Sequence, residues 1–263
     1  KVSAGKNYDT VKLINWEDPE DNDFYIAEEV TLKGNKTKRP DIVLYINGIA
    51  IAVLELKRGI VHISEGVRQN ITNMQDRFIK PFFATNQILF AGNDAEGLRY
   101  GTISSPEKFY LSWKEDVEDS SRLLLDKYLI KMCSKERIIE LIYDFIVFET
   151  GIKKLPRAHQ YFGVKESQKY VNRHEGGIIW HTQGSGKSIS MVYLAKWILE
   201  SNPNARVAIV ADRDELDKQI EDVFTDSGET ISRTKSGRDL MANLGQPSPR
   251  LLCSLVHKFG SKD

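Results

Sequence analysis

The chain has 263 residues, 41% of them hydrophobic, with 37 Lys+Arg balanced by 37 Asp+Glu. That length holds two ordinary domains with real cores, and zero net charge excludes a global field for nucleic acid, so any such partner needs a local basic patch. No apolar run reaches the length of a membrane span, no signal peptide is visible, and two distant cysteines, Cys133 and Cys253, form neither a disulfide framework nor a zinc-ligand spacing; together these fit a reducing cytoplasm, with both thiols buried or inert.

Residues 7–23 are polar and turn-rich. Phe24 to Leu32 alternates as a strand with a partly polar face. Lys33, Lys36, Lys38 and Arg39 follow with no acid among them. They read either as a solvated loop or as a contact to a phosphate backbone beside a catalytic centre.

Asp41 to Ile46 is rich in β-branched residues, Asn47-Gly48 is a strong turn signal, and Ile49 to Lys57 completes a predicted hairpin. An acid at the mouth of one strand and the triplet Glu55-Leu56-Lys57 near the end of the next are what a metal-dependent phosphodiesterase needs. Two carboxylates hold Mg²⁺ against the scissile phosphate, and a lysine two residues after the glutamate shares its strand face. The competing reading is an amphipathic hairpin with charged residues on its wet face. Strand geometry sets a condition. A strict two-residue turn puts Asp41 opposite Leu54 and turns Glu55 to the other face, so a shared metal demands a three-residue loop or a bulge that brings Asp41 across from Glu55.

Glu65 to Arg77 reads as a helix on which Gln69 can face the hairpin. Short strands at Ile88–Ala91, Tyr100–Ile103 and Phe109–Trp113 complete a mixed sheet flanked by helices, and helical spacing from Leu123 to Phe148 closes a first domain of residues 1–150.

The second domain, residues 151–263, is organised around GGIIWHTQGSGKS, residues 176–188. Ile178, Ile179 and Trp180 read as a buried strand, Gly184, Ser185 and Gly186 as a phosphate loop, and Ile189 to Glu200 as the helix whose N-terminus faces the anion. Lys187 reaches the β/γ-phosphates of ATP and Ser188 ligates its magnesium. His181 stands where the full pattern has glycine. Gln160, with both an amide donor and an acceptor, is a candidate reader of the adenine edge. Arg206–Ala211 and Leu251–Val256 are further predicted strands and residues 212–224 a helix, the beginning of a doubly wound sheet; residues 225–250 are illegible. No strand ending in paired acids follows, and the start at Lys1 and the stop soon after an apolar run read as a fragment.

Taken together, these motifs resemble the R subunit of type I restriction-modification enzymes. RPDIVLYINGIAIAVLELK looks like its PD-(D/E)xK nuclease core, IIWHTQGSGKS like its superfamily 2 Walker A motif, which also accounts for His181, VADRDELDKQ like the next motor motif, and LVHKF like the segment shortly before a DEAD-type box. The resemblance implies an α/β chain with a PD-(D/E)xK nuclease domain and the start of a RecA-like motor. It implies Asp41, Glu55 and Lys57 as nuclease residues, Gln160 as adenine reader, and Lys187 and Ser188 as phosphate and magnesium contacts. The family often carries a glutamine followed four residues later by tyrosine on the helix after the hairpin. Here Asn73 stands at the tyrosine's place, so the role carries to Gln69 and not to Asn73. ATP-driven translocation of double-stranded DNA, followed by Mg²⁺-dependent phosphodiester hydrolysis, is the implied activity, with methyltransferase and specificity subunits as partners. Two other readings stay open: a translocase whose hairpin domain only grips DNA, and a nucleotide-dependent binding module without turnover.

Overall fold

The computed structural model describes residues 2–4, 7–9, 11–115, 119, 121–149 and 151–260. The chain divides into two compact units, Lys1–Tyr143 and Asp144–Asp263. A short hairpin, β9 (Val147–Glu149) with β10 (Ile152–Lys154), spans the boundary expected near residue 150 and packs within the second unit.

In the first unit, β1 (Val2–Ala4) and β2 (Asn7–Asp9) form a separate ribbon. The main sheet has six strands, β3 (Phe24–Glu28), β4 (Ile42–Ile46), β5 (Ile49–Leu56), β6 (Ile88–Asn93), β7 (Gly97–Gly101) and β8 (Leu111–Ser112), in that spatial order. All neighbours are antiparallel except β5 and β6, which run parallel because α1 (Ser64–Asn73) crosses between them. β5 and β6 lie at the centre with nearly every residue buried, the burial expected of strands covered on both faces. Val43, Val53, Val67, Phe83 and Leu89 pack into one core under α1, and α2 (Leu124–Met132) and α3 (Lys135–Tyr143) close the unit.

Gly66 sets how close α1 lies. A Cβ there would stand 3.1 Å from the Ala91 Cβ and 3.3 Å from the Glu55 carbonyl, so the helix rests directly on β5 and β6. α1 stops at Asn73, short of the predicted Arg77, because the Asn73 carbonyl accepts from Ile79 N–H and residues 75–78 turn away.

In the second unit, β11 (Val207–Ala211), β12 (Ser232–Arg233) and β13 (Leu251–Leu255) form a parallel sheet in the order β11-β13-β12. α6 (Asp214–Asp226) and α7 (Gly237–Leu244) connect the strands, while α4 (Ala158–Asn172) packs on α5 (Lys187–Ser201). Phe145 anchors this unit, its ring centroid 4.8 Å from Tyr161 and 5.2 Å from Tyr193. The stretch illegible in the sequence thus holds a strand and a helix. The opposite correction applies to Ile178–Trp180, which is not a strand. Ile178 and Trp180 are each 90% exposed, and the segment pairs with no strand among the described residues. An apolar run supplies the surface for a strand but not the neighbour that must hydrogen-bond to it.

Asp217 on α6 is fully buried and ties the sheet together: Arg233 of β12 donates to Oδ2, and the Cys253 Sγ of β13 lies 2.8 Å from Oδ1. Burial, with Asp217 alongside, pushes the Cys253 thiol up to about 12. Asp217→Ala removes the buried acceptor beside Arg233 and Cys253 while Arg233 keeps Asp214, and is expected to cost about 1–3 kcal/mol, read as a lower urea midpoint. Among the described residues no helix is long and apolar enough to cross a membrane.

Candidate active site and phosphate loop

The hairpin turn has Asn47 and Gly48 both at positive φ, 50° and 78°, and the Asn47 side chain accepts from Asp23 N–H at 2.7 Å, pinning the turn to the preceding segment. Tyr45 then faces Ala50, but Leu44 faces Ala52. Ile51 is the extra residue of a bulge, and the one-residue shift carries through Ile42 opposite Leu54. The next pair outward is Asp41 and Glu55, so the two acids meet across the strands.

Side chains from α1 complete the cluster. Gln69 Nε2 donates to Glu55 Oε2, and its Oε1 accepts from Lys57 Nζ at 2.7 Å, so one amide joins the glutamate to the lysine. Asn73 Nδ2 donates to Glu55 Oε1 at 3.1 Å. Asp41 Oδ2 accepts from Leu56 N–H at 2.7 Å. Glu55 is wholly buried, and that burial, together with the charge of Asp41, pushes its pKa up to about 8; Lys57 and Lys38 act in the opposite sense. Because the folded pKa lies above the unfolded one, the contribution of Glu55 to stability is fully present below about pH 4.5 and is lost as pH rises through 8. In EDTA, Glu55→Gln is expected to match wild type near that lower pH and to exceed it by about 4 kcal/mol at the upper end, measured by urea unfolding across the range. A pH-independent difference between the two would contradict it.

Two hard carboxylates set across from each other, Asp41 and Glu55, are a donor set that suits Mg²⁺. Asn73 Oδ1 is also buried there without a hydrogen-bond partner. Among the described residues no three His, Cys, Asp or Glu side chains gather into an all-protein cage. The donor set therefore suits an ion that keeps water and phosphate oxygens as its other ligands.

The glycine loop expected to bind phosphate lies in the second unit. α5 begins at Lys187, preceded by Gly184 at φ 74° and Gly186 at φ 86°, and no side chain caps the helix N-terminus. The loop carbonyls are held from α4 and its N-terminal flank. His159 Nε2 donates to Ser185 O at 3.0 Å, Gln160 Nε2 to Gly186 O at 2.9 Å, and Arg157 Nη1 reaches Gly184 O at 3.5 Å. Lys187 Nζ folds back onto the carbonyls of His181 and Thr182 at 3.2 and 3.1 Å. His181 packs edge-on against His159, centroids 5.0 Å apart.

Residues 1–108 match the family model of the type I restriction enzyme R protein N terminus, and residues 159–263 match that of the SWI2/SNF2 ATPase. The chain's first 108 residues belong to the type I restriction enzyme R protein N-terminus family. The chain is 30% identical over 249 residues to the HindI endonuclease subunit of Haemophilus influenzae, covering 85% of this chain and 23% of that protein. It is 25% identical over 251 residues to the SauCOLORF180P endonuclease subunit of Staphylococcus aureus, covering 90% of this chain and 26% of that protein. The chain thus spans about a quarter of the length of the curated relatives it matches.

Asp41, Glu55, Lys57 and Gln69 come together in one cluster, as do Gln160 and the loop residues Gly184, Ser185, Gly186, Lys187 and Ser188 in another. Gln160 is 3% exposed, its Oε1 accepting from Arg157 N–H at 2.8 Å, so its amide tethers the loop from inside the protein. The sequence reading named Asn73 at the place four after Gln69 and set its role aside because the family carries tyrosine there; its amide reaches Glu55 nonetheless, since residues so spaced share a helix face.

Proposed function

We propose that this chain is the nuclease and the first part of the motor of a type I restriction enzyme, coupling ATP-driven movement of duplex DNA to phosphodiester hydrolysis. The observation that carries the reading is the bulge at Ile51, which sets Asp41 across from Glu55 in the mixed sheet while Gln69 bridges Glu55 to Lys57. Asp41 and Glu55 would hold Mg²⁺. When bound, that ion supplies Lewis acidity at a phosphate oxygen and a water of lowered pKa. Lys57 faces the same side as Glu55, where its ammonium orients the attacking water and offsets charge developing on the phosphate. Gln69 and Asn73 hold the Glu55 carboxyl at both oxygens, so its aim survives the exchange of a proton for a cation.

In the second unit, the backbone N–H groups around Gly184–Gly186 and the Lys187 ammonium would bind ATP phosphates, with Ser188 toward the magnesium. The Gln160 amide retains one N–H and one lone pair beyond its two bonds, enough to meet an adenine edge while it tethers Gly186. Methyltransferase and specificity subunits would supply target recognition. The test is cleavage and ATP hydrolysis measured side by side in the assembled full-length complex, wild type against Lys57→Ala. Persistence of both activities would transfer the hairpin to a DNA-gripping role.

A further inference from the structure

We propose that the loop of residues 33–39, together with Arg77, is a built contact for duplex DNA that seats the phosphate backbone beside the carboxylate pair. The inference rests on the nuclease reading above and adds to it the surface that would present the substrate.

The loop is held in shape rather than left to solvent. Leu32 and Lys38 exchange backbone hydrogen bonds at 2.8 and 3.0 Å across its base. Asn35 N–H donates to Phe78 O at 3.0 Å, and Asn35 Nδ2 to Asp76 O at 2.6 Å. Gly34 lies so close that a Cβ would stand 2.3 Å from the Phe78 carbonyl. The segment it grips follows the helix of the active site directly: Asn73, which donates to Glu55, takes the Ile79 N–H on its carbonyl, next to Phe78.

On this frame two of the cations meet over the Phe78 ring. Lys38 Nζ sits 4.1 Å from the centroid of the Phe78 ring, and the Arg77 guanidinium 5.0 Å from it. Lys33, Lys36 and Arg77 are exposed, and none of these four cations has a carboxylate within ion-pair distance among the described residues. The nearby acids are already engaged, Glu29 with Arg39 and Asp76 with Lys80, each at 2.8 Å. Three lysines of a pinned loop and Arg77 beside it thus stand without ion-pair partners among the described residues in a chain of zero net charge, with Lys38 close enough to act on Glu55. Like charges held together on an ordered backbone repel one another, and a polyanion that releases its own counterions offsets that cost. The patch offers no base-reading element, so its contacts are to phosphates.

The experiment is anisotropy titration of a fluorescent DNA duplex with the 263-residue chain over a series of salt concentrations. The triple variant Lys33→Ala, Lys36→Ala, Arg77→Ala is compared with wild type and with Lys33→Arg, Lys36→Arg, and urea midpoints check that each is folded. At about 100 mM salt the triple variant is expected to bind at least tenfold more weakly, with the slope of log K against log salt shallower by about two to three, while the arginine variant keeps both. Should the triple variant prove unfolded, Lys36→Gln alone is expected to lower the slope by about one. An unchanged slope in a folded variant overturns the proposal. Failure of the nuclease reading has a different signature: DNA binding lost with the patch, yet undiminished cleavage by the Lys57→Ala complex, leaves the contact standing as a grip.

Discussion

Lys57→Ala is expected to reduce DNA cleavage by the assembled complex by on the order of 10²–10³-fold while ATP hydrolysis continues. Lys57 stands just past the end of β5, and its Nζ is fixed by the Gln69 carbonyl oxygen and by its own neighbour's carbonyl, Leu56 O, at 2.7 and 3.0 Å. Those two bonds aim a positive charge at the side where Glu55 and Asp41 meet. Alanine removes that charge from the position where the pentavalent phosphate would accumulate its own. The substitution leaves α1 and the hairpin intact, since Gln69 still holds Glu55 from the other end of its amide. Cleavage should therefore fall through kcat, with DNA affinity close to wild type. A variant that cuts at the wild-type rate would falsify the nuclease assignment.

Lys187→Ala is expected to act in the other direction, abolishing ATP hydrolysis by the assembled complex and with it every ATP-dependent cut. Lys187 opens α5, and its Nζ rests on the carbonyls of His181 and Thr182, at the rim of the loop whose backbone would cradle the phosphates. Removal of one such preorganised charge costs roughly 10²–10³-fold where transition-state charge is involved. The loop itself should persist, because His159, Gln160 and Arg157 hold its carbonyls independently of Lys187. The two variants together separate the sites: the first retains the motor and loses the cut, the second loses both. ATP hydrolysis at the wild-type rate in Lys187→Ala would show that the glycine loop is not the seat of turnover.

Much of the first unit was legible because its signals are local. Asn47-Gly48 dictates the turn, alternation dictates the strands, and a shared metal at Asp41 and Glu55 required a register shift that the turn alone does not produce. The bulge meets that condition, but its place at Ile51 depends on β4 and β6 flanking β5, residues far away in the chain. Asn73 was set aside because the resemblance to a glutamine–tyrosine pair spoke for Gln69 only; its bond to Glu55 follows from how closely Gly66 lets α1 approach the sheet.

Residue type and spacing by themselves determined the glycine loop before α5, the hairpin and the two-part organisation, since turns, caps and periodicity are written in neighbours. Tertiary structure alone decided pairing and burial. It left Ile178–Trp180 without a strand partner among the described residues, made a strand of Ser232–Arg233 where β13 offered an edge, placed β9 and β10 in the second unit, and drove Glu55 from an ordinary carboxylate to one that holds its proton to about 8. Each of those outcomes depends on a hydrogen-bond partner or a dielectric that distant segments supply, and no local pattern encodes either.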